Sequence, residues 1–164
     1  MHNTAKSIIK QLKLKKHPEG GYFSEVYRSN EVMKKNHLPK RFSGDRNFST
    51  SIYFLLTQKD FSSFHKLQAD EVWHFYSGSP LNIYVIQKSG RLKKIVLGKS
   101  HLYQAVIHAG QWFAAEVGKQ DSYSLVGCTV SPGFDFRDFE FGEMKKLIEL
   151  YPVHKSLISR LTIK

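Results

Sequence analysis

The sequence predicts an all-β domain with short helices at its two ends. Nine β-like runs follow one another at short intervals, and Gly, Pro, Asp or Ser separates most of them. Helical spacing is confined to the termini. At 164 residues the chain is the size of one domain with a single core, expected over about residues 17–152. An apolar content of 41% and an aromatic content of 13% suit a folded globular chain rather than a disordered one.

Taken in order, "MHNTAKSIIKQLKLKKH" begins the chain. Thr4 is a natural N-cap, and Ile8, Ile9, Leu12 and Leu14 give an apolar stripe. A packed terminal helix with a solvated lysine face is expected, rather than a membrane-surface helix. "HPEGGYF" is a turn punctuated by Pro18 and Gly20-Gly21. The β-like runs are 22–29, 49–57, 62–67, 71–77, 81–87, 92–98, 105–109, 112–117 and 122–130. Lys88-Ser89-Gly90-Arg91 reads as a hairpin turn. "EMKKLIEL" and "HKSLISRL" close the chain as two helical segments parted by Pro152. Such patterning gives an antiparallel sandwich or barrel, whose inward residues alternate along each strand and whose mouth is a common ligand site.

Several classes are set aside. No apolar run approaches the roughly 20 residues needed to cross a bilayer, so no membrane partner is expected. The N-terminus lacks the apolar region and cleavage site of a secretory signal. Cys128, the single cysteine, rules out an intramolecular disulfide and a CxxC zinc module. It lies in an apolar run and reads as a small buried hydrophobe in a cytoplasmic protein. The formal charge of +11 falls in separated clusters without zinc-finger or RNP-type signatures. It speaks to solubility, and nucleic acid is not expected as a partner.

Chemistry concentrates in "SSFHKLQADEVWHFYSGSPL", residues 62–81. Alternation puts His65 and Leu67 on one face of the first strand. It puts Glu71, Trp73 and Phe75 on one face of the next, with Val72, His74 and Tyr76 on the other. If Trp73 and Phe75 point inward, Glu71 does so too and His74 points away. A His–Glu pair among aromatics is costly to bury as filler and is what a small-molecule site needs. Trp73, Phe75 and Trp112 are the expected walls, although small barrels are also filled by such residues.

The spacing His65-x-Leu67-x3-Glu71-x6-Gly78 resembles the first cupin motif, in which two histidines, a glutamate and a glycine recur. "HAGQWF" stands where the second motif, P-x-G-x2-H, would lie, with Phe113 in place of its histidine. "HPEGGYFSEVYRS", "IYFLL", "DEVWHFYSGSPL", "AGQWFAAE", "VGCTVSPGFDFRDFEF" and "LYP" are similar to the Cupin_5 family, a family of unknown function related to jelly-roll sugar epimerases. The resemblance runs from about His17 to Pro152. It implies a cupin jelly-roll barrel and a homodimer, and it makes Glu25 and Tyr27 of the "YFSEVYRS" strand secondary pocket candidates. Alternation places those two on one face, with Arg28 on the other.

Metal cupins hold one divalent ion with four motif residues. Here only His65 and Glu71 remain, since neither Leu67 nor Phe113 can donate electrons to a metal. A transition-metal catalytic site normally has about three protein ligands. No tightly held cofactor is expected; a divalent metal would need His74 or His108 recruited by a bulge or turn. "PGFDFRDFEF" fits a charged edge strand, a flap over the barrel or a dimer contact.

Three functions compete. The first is an isomerase- or epimerase-type enzyme acting on a small polar or sugar-like metabolite, with His65 as general base, Glu71 orienting it, and Trp73 and Trp112 stacking on a ring. The second is a non-catalytic binding module using the same pocket. The third is a metal-dependent enzyme with a recruited histidine.

Overall fold

The computed structural model describes residues 4–118 and 122–163. The chain begins with α1 (Ala5–Gln11) and a two-residue strand β1 (Lys15–Lys16). Thr4 caps α1 in a reciprocal capping box with Ser7. After the glycine turn come β2 (Tyr22–Arg28), β3 (Val32–Met33), β4 (Arg46–Asn47) and β5 (Thr50–Thr57). A run of longer strands follows: β6 (Phe61–Leu67), β7 (Asp70–Gly78), β8 (Leu81–Ile86) and β9 (Leu92–Leu97). Then come β10 (Gln104–Ile107), β11 (Trp112–Val117), β12 (Tyr123–Ser131) and β13 (Phe139–Phe141). The helices α2 (Met144–Leu150) and α3 (Lys155–Arg160) close the chain, with Pro152 between them. All nine sequence-predicted strands form, each boundary within two residues.

These strands pair antiparallel into two principal sheets, in the orders β1-β2-β5-β12-β7-β10 and β13-β6-β11-β8-β9. The inward side chains of both sheets meet in one apolar core. Phe54, Trp73, Phe75 and Val126 come from the first sheet; Leu81, Ile83, Val85, Leu97 and Phe113 come from the second. Period-two alternation accounts for this sorting. Along β11, Phe113 and Ala115 join the inter-sheet core while Trp112 and Ala114 face outward.

The outer faces are covered by the terminal helices. Leu147, Ile158 and Leu161 pack on Phe64, Ile86 and Ala114 of the five-stranded sheet. Ile8 of α1 and the following Leu14 pack on Leu55 of the other. The helical stripe read at the N-terminus therefore serves packing. The inter-sheet core fills one part of the barrel, and beside it the interior opens into a cavity bounded by β2 and the turn before it, β5, β6, β7, β12 and the segment that carries Phe134, Asp135, Phe136 and Phe139.

Candidate functional site

The cavity has a volume of about 350 Å³ and gathers seven ionisable side chains apart from Cys128: His17, Glu19, Glu25, Arg28, His65, Glu71 and Asp135. Phe23, Ile52, Phe54, Leu67 and Val130 supply apolar wall, and Phe134, Phe136 and Phe139 close over it. Its size is that of a site for one small molecule.

His65 and Glu71 both face this cavity, while His74 turns away and pairs with the Thr129 hydroxyl at 3.2 Å. The His65 ring lies against Phe113 at 4.1 Å and stacks on Phe139 at 5.0 Å. Its Nδ1 lies 2.7 Å from the Ser63 carbonyl. A carbonyl can only accept, so Nδ1 carries a proton and the neutral ring presents a bare Nε2. Burial pushes the His65 pKa down, against the pull of Glu71 and the Ser63 carbonyl. Burial likewise raises the Glu71 carboxyl to about 7, against the attraction of His65. The Trp73 indole N–H donates to Glu71 Oε2 at 2.8 Å.

The turn between β1 and β2 adds two residues that the sequence shows only as turn punctuation, His17 and Glu19. The Glu19 carbonyl accepts from the Ser63 amide at 2.9 Å, which fixes the turn to β6. Glu19 Oε1 accepts from the Ser62 hydroxyl at 2.9 Å, and Oε2 stands 3.4 Å from His65 Nε2. The Glu19 amide donates to His17 Nδ1 at 3.2 Å, so that neutral ring carries its proton on Nε2. Burial raises the Glu19 pKa and lowers that of His17. A His and a Glu flanking Pro and followed by two glycines were the available signal.

Other expectations need correction. Trp112 is not a pocket wall: it points outward to the cluster beneath α2 and α3, with the Lys66 ammonium 4.5 Å from its ring. Phe113, its neighbour, pairs with His65 across β11 and β6 and takes the inward place. Trp73 and Phe75 face inward but belong to the packed core, so Trp73 supports Glu71 from below rather than lining the cavity. Glu25 lines the cavity, whereas Tyr27 is 54% exposed. A bulge between them breaks the alternation: Glu25 pairs with Ile52 and Tyr27 with Ser51. The same bulge brings Arg28 into the cavity wall, where it grips Glu25 through Nε at 3.0 Å and Nη2 at 2.7 Å.

The "PGFDFRDFEF" segment is both edge strand and cover. Phe139 to Phe141 pair with β6, while Phe134, Asp135, Phe136 and Phe139 line the cavity. Arg28 Nη1 donates to the Phe134 carbonyl at 3.0 Å, and the Thr50 hydroxyl accepts from the Phe134 amide at 2.9 Å. The buried guanidinium of Arg46 donates twice to Asp138, each bond 2.6 Å long.

The barrel, the strand-borne His65 and Glu71, and the glycine turn together match one family. The Cupin_5 model, described as Cupin superfamily (DUF985), covers residues 6–142. The chain belongs to this family. A hypothetical protein from Leishmania major superposes with a TM-score of 0.90 at 36% identity, over 99% of this chain and 100% of that one. A protein from Shewanella oneidensis gives 0.88 and 37%, over 99% of each chain. An uncharacterized protein of Saccharomyces cerevisiae is 29% identical, over 89% of this chain and 81% of its own length. Oxalate decarboxylase from Bacillus subtilis, a protein with Mn(II) centers, shares the fold alone. Its TM-score is 0.54 at 14% identity, and the match covers 36% of that chain.

The side chains of this Cupin_5 domain do not fit a cupin metal centre. Leu67 and Phe113 occupy two of the four motif positions, and both are buried among apolar neighbours. His108 is exposed beside Asp70, and His74 faces away, so neither is recruited. Among the described residues, no group of three or more His, Cys, Asp or Glu is placed to hold a metal ion.

Proposed function

We propose that the cavity binds a small polar or sugar-like metabolite and moves a proton on it, as an isomerase or epimerase does. The observation that supports this most is the bare Nε2 of His65 in a cavity that also holds Glu71, a carboxyl that titrates near neutrality. Proton transfer beside a carbonyl needs a group that takes a proton and one that returns it, each with a pKa near the working pH. His65 and Glu71 are that pair in this reading. The Phe134, Phe136 and Phe139 rings offer apolar faces to a ring, and Glu25 stands near for hydroxyl groups. We further propose that the protein works as a homodimer in the cytoplasm, a setting that suits its one buried free thiol.

The test is hydrogen exchange at carbon. The protein is incubated in D2O with a panel of neutral aldoses and ketoses, and deuterium uptake is read by mass spectrometry. The expected result is uptake at the carbon beside the carbonyl of at least one compound, lost in H65A while that variant stays folded. A sugar that raises the melting temperature of the wild type yet exchanges no hydrogen would make the domain a binding module instead.

A further inference from the structure

We infer that Glu19 and His65 form a single proton-sharing couple that serves the cavity as its acid, leaving Glu71 as its base. The catalytic half of this inference rests on the proton-transfer reading above; the couple itself rests on geometry. With Nδ1 committed to the Ser63 carbonyl, His65 turns Nε2 toward Glu19 Oε2 at 3.4 Å. Two lone pairs facing each other there repel, and a proton on either atom turns that repulsion into attraction.

The partners of Glu19 single out that oxygen. Oε1 already accepts from the Ser62 hydroxyl, so Oε2 is the one left to carry a proton. His17 does not compete for it: its Nδ1 is 3.7 Å from Oε2 and takes the Glu19 amide instead. A separation of 3.4 Å is longer than a formed hydrogen bond. Catalytic pairs tighten when a ligand enters.

The groups facing the couple are His17, Glu71 and the Cys128 thiol, all neutral or titrating near neutrality. None of them stabilises an imidazolium–carboxylate pair as well as water would, so burial favours the proton on Glu19. In the step this permits, the Glu71 carboxylate takes the hydrogen from the carbon beside a substrate carbonyl. The released electron pair moves onto the carbonyl oxygen, which takes the proton of the couple and yields an enol. Reversal at the adjacent carbon, where the neighbouring hydroxyl returns a proton to the couple as Glu71 delivers its own to carbon, restores both groups and needs no oxidant.

This assignment reverses the expectation that His65 is the base and Glu71 its orienter. It also gives the glycine turn a task, since it carries Glu19 to β6.

Two measurements decide it. With 15N-histidine labelling, nitrogen shifts of His65 at neutral pH should show a protonated Nδ1 and an unprotonated, hydrogen-bonded Nε2. E19Q should keep the fold and move the Nε2 signal, because an amide donates more weakly and cannot share a proton. If E19Q fails to fold, S62A should move the same signal through Oε1. A His65 protonated on Nε2 with a bare Nδ1, or an Nε2 signal unmoved by these variants, would overturn the couple. In the D2O exchange assay, E19Q should slow uptake at least about 100-fold. E19Q with undiminished uptake would overturn the acid role. If wild type exchanges none of the panel, the isomerase reading and the acid role fall together, while the couple still stands or falls on the nitrogen shifts.

Discussion

Replacing Gly20 by alanine tests whether the His17–Gly21 turn seats Glu19 in the cavity. Gly20 has a φ of +113°, a conformation that residues with a side chain rarely adopt. A Cβ there would also lie 2.0 Å from the Phe61 carbonyl oxygen, where real contacts do not fall below 3.0 Å. The turn must therefore withdraw from β6 by about 1 Å, the difference between those contact distances. Two hydrogen bonds cross that seam, from the Ser63 amide and the Ser62 hydroxyl, each 2.9 Å to Glu19. Their loss amounts to about 1 kcal/mol each, and backbone strain adds about 1–3 kcal/mol. G20A should lose about 3–5 kcal/mol in urea unfolding and melt roughly 10 °C or more below wild type. S62A, which takes one of the two bonds, should lose only about 1 kcal/mol. A G20A protein within about 1 kcal/mol of wild type, with His65 nitrogen shifts unchanged, would refute the argument.

Further outcomes follow from other groups. Glu71 titrates near 7 in the folded chain and at 4.5 without the fold, so the unfolded state ionises first as pH rises. Its stabilising contribution is full below about pH 4.5 and falls toward pH 7 by up to about 3 kcal/mol. His17 and His65, held low by burial, act oppositely: stability falls as the pH drops below about 6.5 and the unfolded chain takes up protons. Urea melts of E71Q should shrink the decline between pH 4.5 and 7, to which the buried Glu19 carboxyl also contributes, and keep the acid limb; a profile parallel to wild type would count against the buried Glu71 carboxyl. Removing one partner of the Arg46–Asp138 pair, as in D138A, should destabilise by about 3–5 kcal/mol in the same assay, because the other charge stays buried. Light scattering at micromolar concentration should give the mass of two chains, and a monomer would refute the proposed dimer. Elemental analysis should find less than one transition metal per chain, and added divalent ions should raise the melting temperature little.

Strands were legible because each carries its pattern locally. Polar and apolar residues alternate, turn residues stand between runs, and no distant partner is needed to see either. The inward pair His65 and Glu71 came from the same rule, because no bulge interrupts β7 between Glu71 and Phe75. Tyr27 shows where the rule stops. The extra residue between Glu25 and Tyr27 flips the faces beyond it, and nothing in "YFSEVYRS" marks it. Trp112 is a different error. Phe113 stands in the place of an inward motif histidine, so period two puts Trp112 on the outer face, and the two expectations conflict in the sequence itself. Glu19 was hidden by distance in sequence, 43 residues from the Ser62 that binds it. Only the folded barrel brings the turn against β6.

The apolar residues at two motif positions and the ionisable residues of the turn are two sides of one electrostatic arrangement. A cupin metal centre places histidines and a carboxylate around a divalent cation, which keeps the carboxylate ionised and the imidazoles neutral. Leu67 and Phe113 remove two of those donors and put apolar surface beside His65 and Glu71. Burial acts on the groups that remain: it raises the Glu19 and Glu71 carboxyls and lowers the pKa of His17 and His65. The same strands that could have carried a Lewis acid then carry groups suited to exchanging protons near neutral pH. Restoring the motif tests this directly. In L67H/F113H the added imidazoles should create cobalt or manganese binding, detectable by calorimetry. A bound cation should also lower the Glu71 pKa, flattening its contribution to pH-dependent stability. If the double variant binds the ion and the decline between pH 4.5 and 7 persists unchanged, that decline does not belong to Glu71.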